Sequence, residues 1–228
     1  MKRLPRFRVA AVIIDLDGTL LDTAPDLVAA ANAMRGDLGL GELPAQQIVS
    51  YVGKGADALV HRAMTAQADG RASPEVFATA HQRFLFRYQE HNGRSAVLYP
   101  GVREGLRVMR SQGLRLACVT NKPQAFTLPL LRQTGLAEYF ELIVSGDSLR
   151  LRKPDPMQFL HVAQQFLLAP AKILAVGDSG NDALAARAAG MPVVAVPYGY
   201  NEGKPVTDLD VDAIVSGLDE LSDLIDRI

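Results

Sequence analysis

The chain has 228 residues, of which 48% are hydrophobic, so it is long and apolar enough to bury a sizeable core. Its 24 Lys and Arg against 25 Asp and Glu leave a formal net charge of −1, which argues against a nucleic acid or a membrane surface as partner. No apolar run reaches the ~18 residues of a transmembrane helix. The basic start, with Lys2 and Arg3, is followed by no small-residue cleavage site, so we expect no signal peptide. The one cysteine, Cys118, cannot form an internal disulfide, and we expect a cytoplasmic protein.

The first predicted strand covers residues 9–14, a short apolar run that is typical of a strand buried on both faces. Two carboxylates follow it directly, because the next residues are Asp15-Leu16-Asp17-Gly18-Thr19-Leu20. Alternation sends Asp15 and Asp17 to the same side, while Gly18 allows the chain to turn away. Carboxylates this close repel each other unless a cation, a shared proton or water relieves them. A metal-assisted site at the carboxyl end of the strand is therefore the first hypothesis.

Residues 22–95 have a different character from the rest of the chain. Helical periodicity covers residues 25–38, 56–68 and 74–91, and no convincing strand interrupts it. We interpret this segment as an all-helical insertion in the loop after the first strand. The predicted domains are therefore an α/β core, residues 1–21 and 96–228, and an inserted helical domain, residues 22–95.

Strands and helices alternate after residue 96. The predicted strands are 114–119, 141–144, 172–176 and 192–196, and the predicted helices are 101–112, 123–134, 154–168 and 181–189. Several of these helices end at glycines that suit a C-cap, namely Gly113, Gly135 and Gly190. This alternation predicts an α/β fold with a parallel sheet covered by helices on both faces.

Polar residues suited to phosphate and metal chemistry follow these strands. They are Thr120, Asn121 and Asp178, with Asp182 one helical turn later and Lys153 directly before Pro154. We expect Pro154 to begin a helix and to fix the approach of the lysine. The set supplies carboxylates, a hydroxyl, an amide and an ammonium group. It suits a phosphate monoester in a Mg²⁺ site, because Mg²⁺ prefers hard oxygen ligands.

Four motifs taken together resemble the haloacid dehalogenase superfamily. They are Asp-x-Asp-Gly-Thr, a strand-ending Thr, Lys-Pro, and Gly-Asp-Ser-x-x-Asp. The resemblance spans the whole chain and implies a Rossmann-like, three-layer α/β/α core with the helical insertion as a cap. Within the superfamily, residues 198–203 and residues 53–57 look most like the bacterial phosphoglycolate phosphatases.

The resemblance implies roles for the residues that match its motifs. Asp15 would be the nucleophile that forms an aspartyl-phosphate. Asp17 would protonate the leaving alkoxide and then deprotonate the attacking water, two roles that need different protonation states. Thr120, the Asn121 amide and Lys153 would stabilise the charge on the transferring phosphoryl oxygens.

The resemblance also implies a metal site. Mg²⁺ would be held by the Asp15 carboxylate, the Asp17 backbone carbonyl and Asp178. Asp182 would orient the metal-bound waters and the catalytic lysine. In the cap, Lys54 stands between two glycines that permit close backbone approach, and it is our candidate cation for a substrate carboxylate.

The predicted activity is Mg²⁺-dependent hydrolysis of a small phosphomonoester, with 2-phosphoglycolate yielding glycolate and phosphate. The aspartate at position 17 favours phosphoryl transfer over dehalogenation, since halide departs without protonation. Three alternatives remain open: a phosphatase for sugar phosphates or nucleotides, a phosphomutase, and a non-catalytic sensor of a phosphate ligand. Asn181-Asp182 counts against the mutase, because the sugar phosphomutases of the family typically lack this pair. The expected partner is a small phosphorylated substrate, and the chain could be a monomer or a homodimer.

Overall fold

The computed structural model describes residues 5–228, so Lys2, Arg3 and the first four residues of the predicted core lie outside the described residues. In chain order the elements are β1 (Phe7–Val9), β2 (Ala11–Ile14), β3 (Leu21–Asp22), α1 (Ala24–Asp37), α2 (Ala45–Val49), α3 (Ala56–Thr65), α4 (Pro74–His91), β4 (Val97–Leu98), α5 (Val102–Ser111), β5 (Arg115–Val119), α6 (Gln124–Gln133), β6 (Leu142–Val144), α7 (Met157–Phe166), β7 (Ile173–Gly177), α8 (Gly180–Ala189), β8 (Val193–Ala195), β9 (Ala213–Ile214), α9 (Leu218–Asp223) and β10 (Ile225–Arg227). Among these helices, none combines the length and the apolarity needed to span a bilayer.

A parallel sheet forms the centre of the molecule, with the strand order β6-β5-β2-β7-β8-β9. β2 lies between β5 and β7, where Ile14 pairs with Cys118 on one side and with Val176 on the other. Because the strands run in the same direction, their carboxyl ends meet at one edge of the sheet. The predicted α/β fold with a Rossmann-like parallel sheet is confirmed.

Alternating side chains of the central strands divide between two hydrophobic clusters. Val12 and Ile14 pack in the cluster that includes α5, α6 and α9. Ala11 and Ile13 pack in the cluster that includes α7 and α8. The sheet is therefore the middle layer of three, and its continuous apolar strands are buried on both faces. Cys118 lies fully buried in the first cluster, where it acts as a small core residue.

The helices α1 to α4 follow β3 and precede β4, and they share a third hydrophobic cluster. Two residues from outside this segment, Phe126 of α6 and Tyr200 after β8, also belong to that cluster. The helices α1 to α4 therefore pack against segments that follow the strands of the sheet. Ser73 caps the N-terminus of α4, where its Oγ accepts a hydrogen bond from the Val76 N–H at 3.4 Å. The division into an α/β core and a cap of residues 22–95 stays a prediction.

Two local predictions are wrong, and one strand was not predicted. Residues 9–14 are not one strand, because the chain bends at Ala10 and β1 pairs with β10 instead of joining the main sheet. Pro154 does not begin a helix, since α7 starts at Met157 after Pro156. The strand that was not predicted is β3, which pairs antiparallel with β4; a two-residue strand is too short for alternation to indicate it.

Candidate active site

Three buried carboxylates converge at the carboxyl edge of the sheet. One oxygen from each of Asp15, Asp178 and Asp182 lies within 4.8 Å of the other two. Asp15 follows β2, Asp178 follows β7, and Asp182 lies in the first turn of α8. The turn after Asp17 requires a glycine, because Gly18 has a φ of +87° and a Cβ there would lie 2.4 Å from Asp178 Oδ2. The fold thus brings together carboxylates that are far apart in the sequence.

Lys153 is the cation of this carboxylate cluster. Its Nζ lies 2.7 Å from Asp15 Oδ1 and 2.7 Å from Asp182 Oδ1, and it donates to the Val119 carbonyl oxygen at 2.9 Å. The ammonium group therefore has three acceptor atoms within 2.9 Å, as many as it has N–H donors. Burial disfavours the ammonium, but the two carboxylates outweigh it and raise the pKa of Lys153 above its usual range. Lys153 is therefore charged and holds Asp15 in place.

Asp17 contacts a second buried lysine, Lys122, which the sequence analysis missed. Thr23 Oγ1 donates to Asp17 Oδ1 at 2.6 Å, and Lys122 Nζ donates to the same oxygen at 2.9 Å. Lys122 Nζ also donates to the hydroxyl of Tyr88, which comes from α4. Burial disfavours this ammonium too, but Asp17 and Tyr88 raise the pKa of Lys122 above its usual range. The sequence did contain a signal for Lys122, because Lys122-Pro123 is a Lys-Pro pair after a strand, like Lys153-Pro154. No local pattern indicated that Tyr88 would contact it.

The buried carboxylates have raised pKa values. Burial raises the pKa of Asp15 well above its usual range; the Lys153 ammonium opposes this shift, while Asp182 and Asp178 add to it. Burial, followed by the nearby Asp182, raises the pKa of Asp178 to about 7. Burial is the main cause of both shifts and neighbouring carboxylates add to it, so a bound cation would favour the ionised forms.

The donor set fits a divalent metal ion. Around this edge of the described structure, four carboxylates (Asp15, Asp17, Asp178, Asp182) face two ammonium groups (Lys122, Lys153), which leaves two negative charges in excess. In addition, Asp15 Oδ1 accepts no hydrogen bond among the described residues, although Lys153 Nζ is its ion-pair partner. Hard carboxylate oxygens with excess negative charge are typical ligands of a divalent cation.

Asp178 and Asp182 differ in how much of each carboxylate is available to a metal. Asp178 accepts from Thr19 Oγ1 at 3.2 Å and from the Tyr200 N–H at 2.6 Å. Asp182 gives one oxygen to Lys153 and the other to the Ser179 N–H and hydroxyl, at 3.2 and 2.8 Å. The latter contacts belong to the cap of α8, so Asp182 positions Lys153 and the helix start together.

Thr120 and Asn121 lie at the end of β5 beside Asp15. The Thr120 hydroxyl oxygen accepts from the Lys122 N–H at 3.1 Å, which leaves its proton for a ligand. The Asn121 amide was expected to stabilise the phosphoryl oxygens, and this stays a prediction. Its side-chain Nδ2 donates to the carbonyl oxygens of Gly53 (3.0 Å) and Lys153 (2.9 Å). Both of its N–H donors are therefore used, one of them on the helical segment.

Three backbone N–H groups near these strand ends make no hydrogen bond. In the described part of the chain, the backbone N–H groups of Leu16, Asp17 and Asn121 donate to no acceptor. Unpaired buried N–H groups are rare in proteins, and backbone N–H groups are among the donors that bind anions. These three groups are therefore available to a ligand at the edge of the sheet.

A cavity of about 50 Å³ lies between the edge of the sheet and the helical segment, and we call it the inner cavity. It is lined by the predicted residues Asp15, Asp17, Thr120, Asn121, Lys153 and Asp178. Asp182 contacts it through Lys153. The structure therefore brings together all of the predicted site residues that belong to the α/β core.

Lys54 lies elsewhere. Its Nζ forms an ion pair with Glu202 at 3.1 Å, and its side chain is 45% exposed. It lines a second, larger concavity of about 740 Å³ together with Arg62 and Arg152, which we call the outer groove. The structure thus does not bring Lys54 to the other predicted site residues, because Glu202 draws its side chain away from the inner cavity.

The loop of residues 198–203 reaches both the carboxylates and the helical segment through Tyr200. Its N–H donates to Asp178, as described above. Its hydroxyl oxygen accepts from the N–H groups of Thr23 (2.7 Å) and Ala24 (2.9 Å). The same hydroxyl group donates its proton to Asp22 Oδ1 at 2.8 Å. Tyr200 therefore ties the proposed metal ligand to the start of α1.

Residues 12–196 match the family of haloacid dehalogenase-like hydrolases. The chain is 53% identical over 219 residues to the phosphoglycolate phosphatase of Nitrosospira multiformis, covering 96% of each chain. It is 48% identical over 227 residues to that of Thiobacillus denitrificans, covering 100% of both chains. A crystal structure described as a predicted phosphoglycolate phosphatase from Haemophilus somnus has a TM-score of 0.89 at 35% identity, covering 95% of this chain and 97% of that one. This similarity spans the sheet, its polar edge and the helical segment alike, and the chain belongs to the haloacid dehalogenase-like hydrolase family.

Proposed function

We propose that the chain is a Mg²⁺-dependent phosphomonoesterase that hydrolyses 2-phosphoglycolate to glycolate and phosphate. The observation that carries this proposal is Asp15, a buried carboxylate fixed by Lys153 next to Asp178 and to unpaired backbone N–H groups. The names of the relatives, which are similar over nearly their whole length, support the substrate.

In the proposed reaction an Asp15 oxygen attacks phosphorus and the bond from phosphorus to the ester oxygen breaks. Asp17 gives a proton to the departing alkoxide. Thr23 and Lys122 both contact Asp17 Oδ1, so Oδ2 is the oxygen that holds this proton. In the second half, Asp17 takes a proton from water, the water oxygen attacks phosphorus, and the bond to Asp15 breaks.

The remaining residues hold charge and geometry. The Thr120 hydroxyl, the backbone N–H of Asn121 and Lys153 would stabilise the phosphoryl oxygens. A divalent cation, which we propose is Mg²⁺, would be held by Asp15, Asp178 and the Asp17 backbone carbonyl, and it would neutralise charge on the transferring group. We further propose that residues 22–95 act as a cap that excludes water and large substrates.

A substrate panel tests this proposal. The panel contains 2-phosphoglycolate, sugar phosphates, nucleotides and an aryl phosphate, each with and without Mg²⁺. We expect kcat/KM for 2-phosphoglycolate to exceed the others by about tenfold or more, and turnover to require Mg²⁺. Comparable turnover of sugar phosphates and nucleotides with none of 2-phosphoglycolate would contradict the substrate. No Mg²⁺-dependent phosphate release even from the aryl phosphate would favour a non-catalytic sensor.

A further inference from the structure

The inner cavity contains two ammonium groups, and they differ in how fully they are used. Lys153 Nζ has three acceptor atoms within 2.9 Å, on Asp15, on Asp182 and on the Val119 carbonyl group. Lys122 Nζ has two acceptor atoms, Asp17 Oδ1 and the hydroxyl oxygen of Tyr88. An ammonium group has three donors, so Lys122 has one left. It is the cation of the cavity that can accept a further anionic partner.

The Tyr88 hydroxyl, which contacts Lys122, is a second hydrogen-bond donor without an acceptor. Its oxygen accepts from Lys122 Nζ, but its own proton meets no acceptor among residues 5–228. Tyr88 is 2% exposed and lines the inner cavity, so bulk water does not satisfy this proton. Burial raises the pKa of Tyr88, and the phenol keeps its proton. A buried O–H donor without an acceptor is costly unless a ligand supplies one.

The two donors lie next to the position of the leaving group. Lys122 Nζ is 2.9 Å from Asp17 Oδ1, and Asp17 is the proposed proton donor to the ester oxygen. In a phosphorylated α-hydroxy acid, two bonds join the ester oxygen to the carboxylate carbon. A carboxylate at that distance from the ester oxygen therefore falls within reach of Lys122 and Tyr88.

The rest of the cavity favours a small acid over a sugar. Its walls on the helical segment are the apolar side chains of Leu27, Val52, Leu59 and Phe84. Such walls offer no hydrogen bonds to sugar hydroxyls.

We propose that Lys122 and Tyr88 form the carboxylate-binding subsite of the inner cavity, with the ammonium as counter-charge and the phenol O–H as second donor. The subsite takes the carboxylate of a phosphorylated α-hydroxy acid, and it rests on the proposed function of the chain. It replaces Lys54, whose side chain pairs with Glu202 in the outer groove.

The test compares two substrates that differ in the carboxylate, 2-phosphoglycolate and ethyl phosphate, using the ratio of their kcat/KM values. The variants are Lys122→Met and Tyr88→Phe, and the matched control is Lys172→Met, at an exposed lysine that does not line the cavity. We expect the ratio to fall about 10- to 100-fold in Lys122→Met and about 3- to 10-fold in Tyr88→Phe, and to stay unchanged in Lys172→Met. Tyr88→Phe keeps the buried ring, so the ratio can be measured in this variant even if Lys122→Met does not fold.

The ratio separates binding from a merely structural role, because a displaced Asp17 would slow both substrates equally. If wild type prefers 2-phosphoglycolate and both variants keep that preference, the subsite is wrong while the proposed function stands. If wild type itself shows no preference for 2-phosphoglycolate over ethyl phosphate, both are wrong.

Discussion

The inner cavity and the outer groove share the loop of residues 53–55, yet they differ in almost every property. Gly53 and Gly55 line the inner cavity, whereas Lys54 lines the outer groove. The outer groove is the larger, at about 740 Å³ against about 50 Å³, and it has several basic side chains. These are largely paired: Lys54 and Arg62 with Glu202, and Arg152 with Asp57.

This difference shows that buried polar groups without a hydrogen-bond partner indicate a ligand site better than the volume of a concavity or its number of basic residues. The inner cavity has an Asp15 oxygen without a hydrogen bond, unpaired backbone N–H groups and a spare donor on Lys122. Each unsatisfied buried group costs about 1–3 kcal/mol, so such a set is expected where a ligand completes it. The ion pairs of Lys54 and Arg152 in the outer groove are partly exposed and stabilise little.

The largest expected effect is that of Asp15→Asn. The amide cannot attack phosphorus, so kcat should fall by at least about 10⁴-fold. The thermal midpoint should stay the same or rise, because the substitution removes a buried carboxylate whose pKa burial raises. Steady-state kinetics and thermal unfolding measure both; substantial remaining activity would contradict the role of Asp15.

Metal removal should abolish turnover and change stability in a pH-dependent way. Because burial raises the pKa of Asp178 to about 7, its contribution to stability in the metal-free protein is present below pH about 4 and is lost as the pH rises through about 7. A divalent cation prefers the ionised carboxylates and should restore that stability. Added Mg²⁺ should therefore raise the thermal midpoint more at pH 8 than at pH 5, and much less in Asp178→Asn. Equal shifts at both pH values would argue against metal binding by this cluster.

Asn121→Ala should have an intermediate effect, by loosening the contact between the strand edge and the helical segment. It removes a 3.0 Å bond to the Gly53 carbonyl oxygen and a 2.9 Å bond to that of Lys153. We expect kcat/KM to fall about tenfold. Asn181→Ala is the matched control, because Asn181 Nδ2 reaches the same Gly53 oxygen at 3.4 Å, and its effect should be smaller. An equal or larger loss in Asn181→Ala would contradict this ranking.

Lys54→Ala should have the smallest effect. The side chain is 45% exposed and its ion pair with Glu202 is of the kind that contributes little. We expect kcat/KM for 2-phosphoglycolate to change less than about threefold. A loss of tenfold or more, specific to substrates with a carboxylate, would restore Lys54 as the carboxylate ligand and would weaken the contrast between the two concavities.

Most of the core site could be predicted from the sequence, because parallel strands place their carboxyl ends at one edge. Asp15, Thr120 and Asp178 each follow a buried apolar run, so the sheet itself brings them together. The contacts of Lys122 could not be predicted in this way. Its partner Tyr88 comes from α4, and the approach of that helix depends on tertiary packing.

The same limit applies to the side chains of Lys54 and Asn121. Flanking glycines indicate that the backbone at Lys54 can approach a ligand, but they do not reveal that Glu202 pairs with its side chain. The position of Asn121 at a strand end was predicted, whereas the bond of its amide to the Gly53 carbonyl oxygen depends on how the helical segment packs. In both cases a contact between distant segments decides what the side chain does.

The central claim is that the inner cavity transfers a phosphoryl group to Asp15, and acid-quench mass spectrometry tests it most directly. The enzyme is mixed with 2-phosphoglycolate and Mg²⁺, quenched in acid within one turnover and digested. We expect one phosphoryl group on the peptide that contains Asp15, more of it in Asp17→Asn, where water is no longer deprotonated, and none in Asp15→Asn. Phosphate release by wild type without any phosphoryl group on that peptide, in wild type or in Asp17→Asn, would contradict the claim.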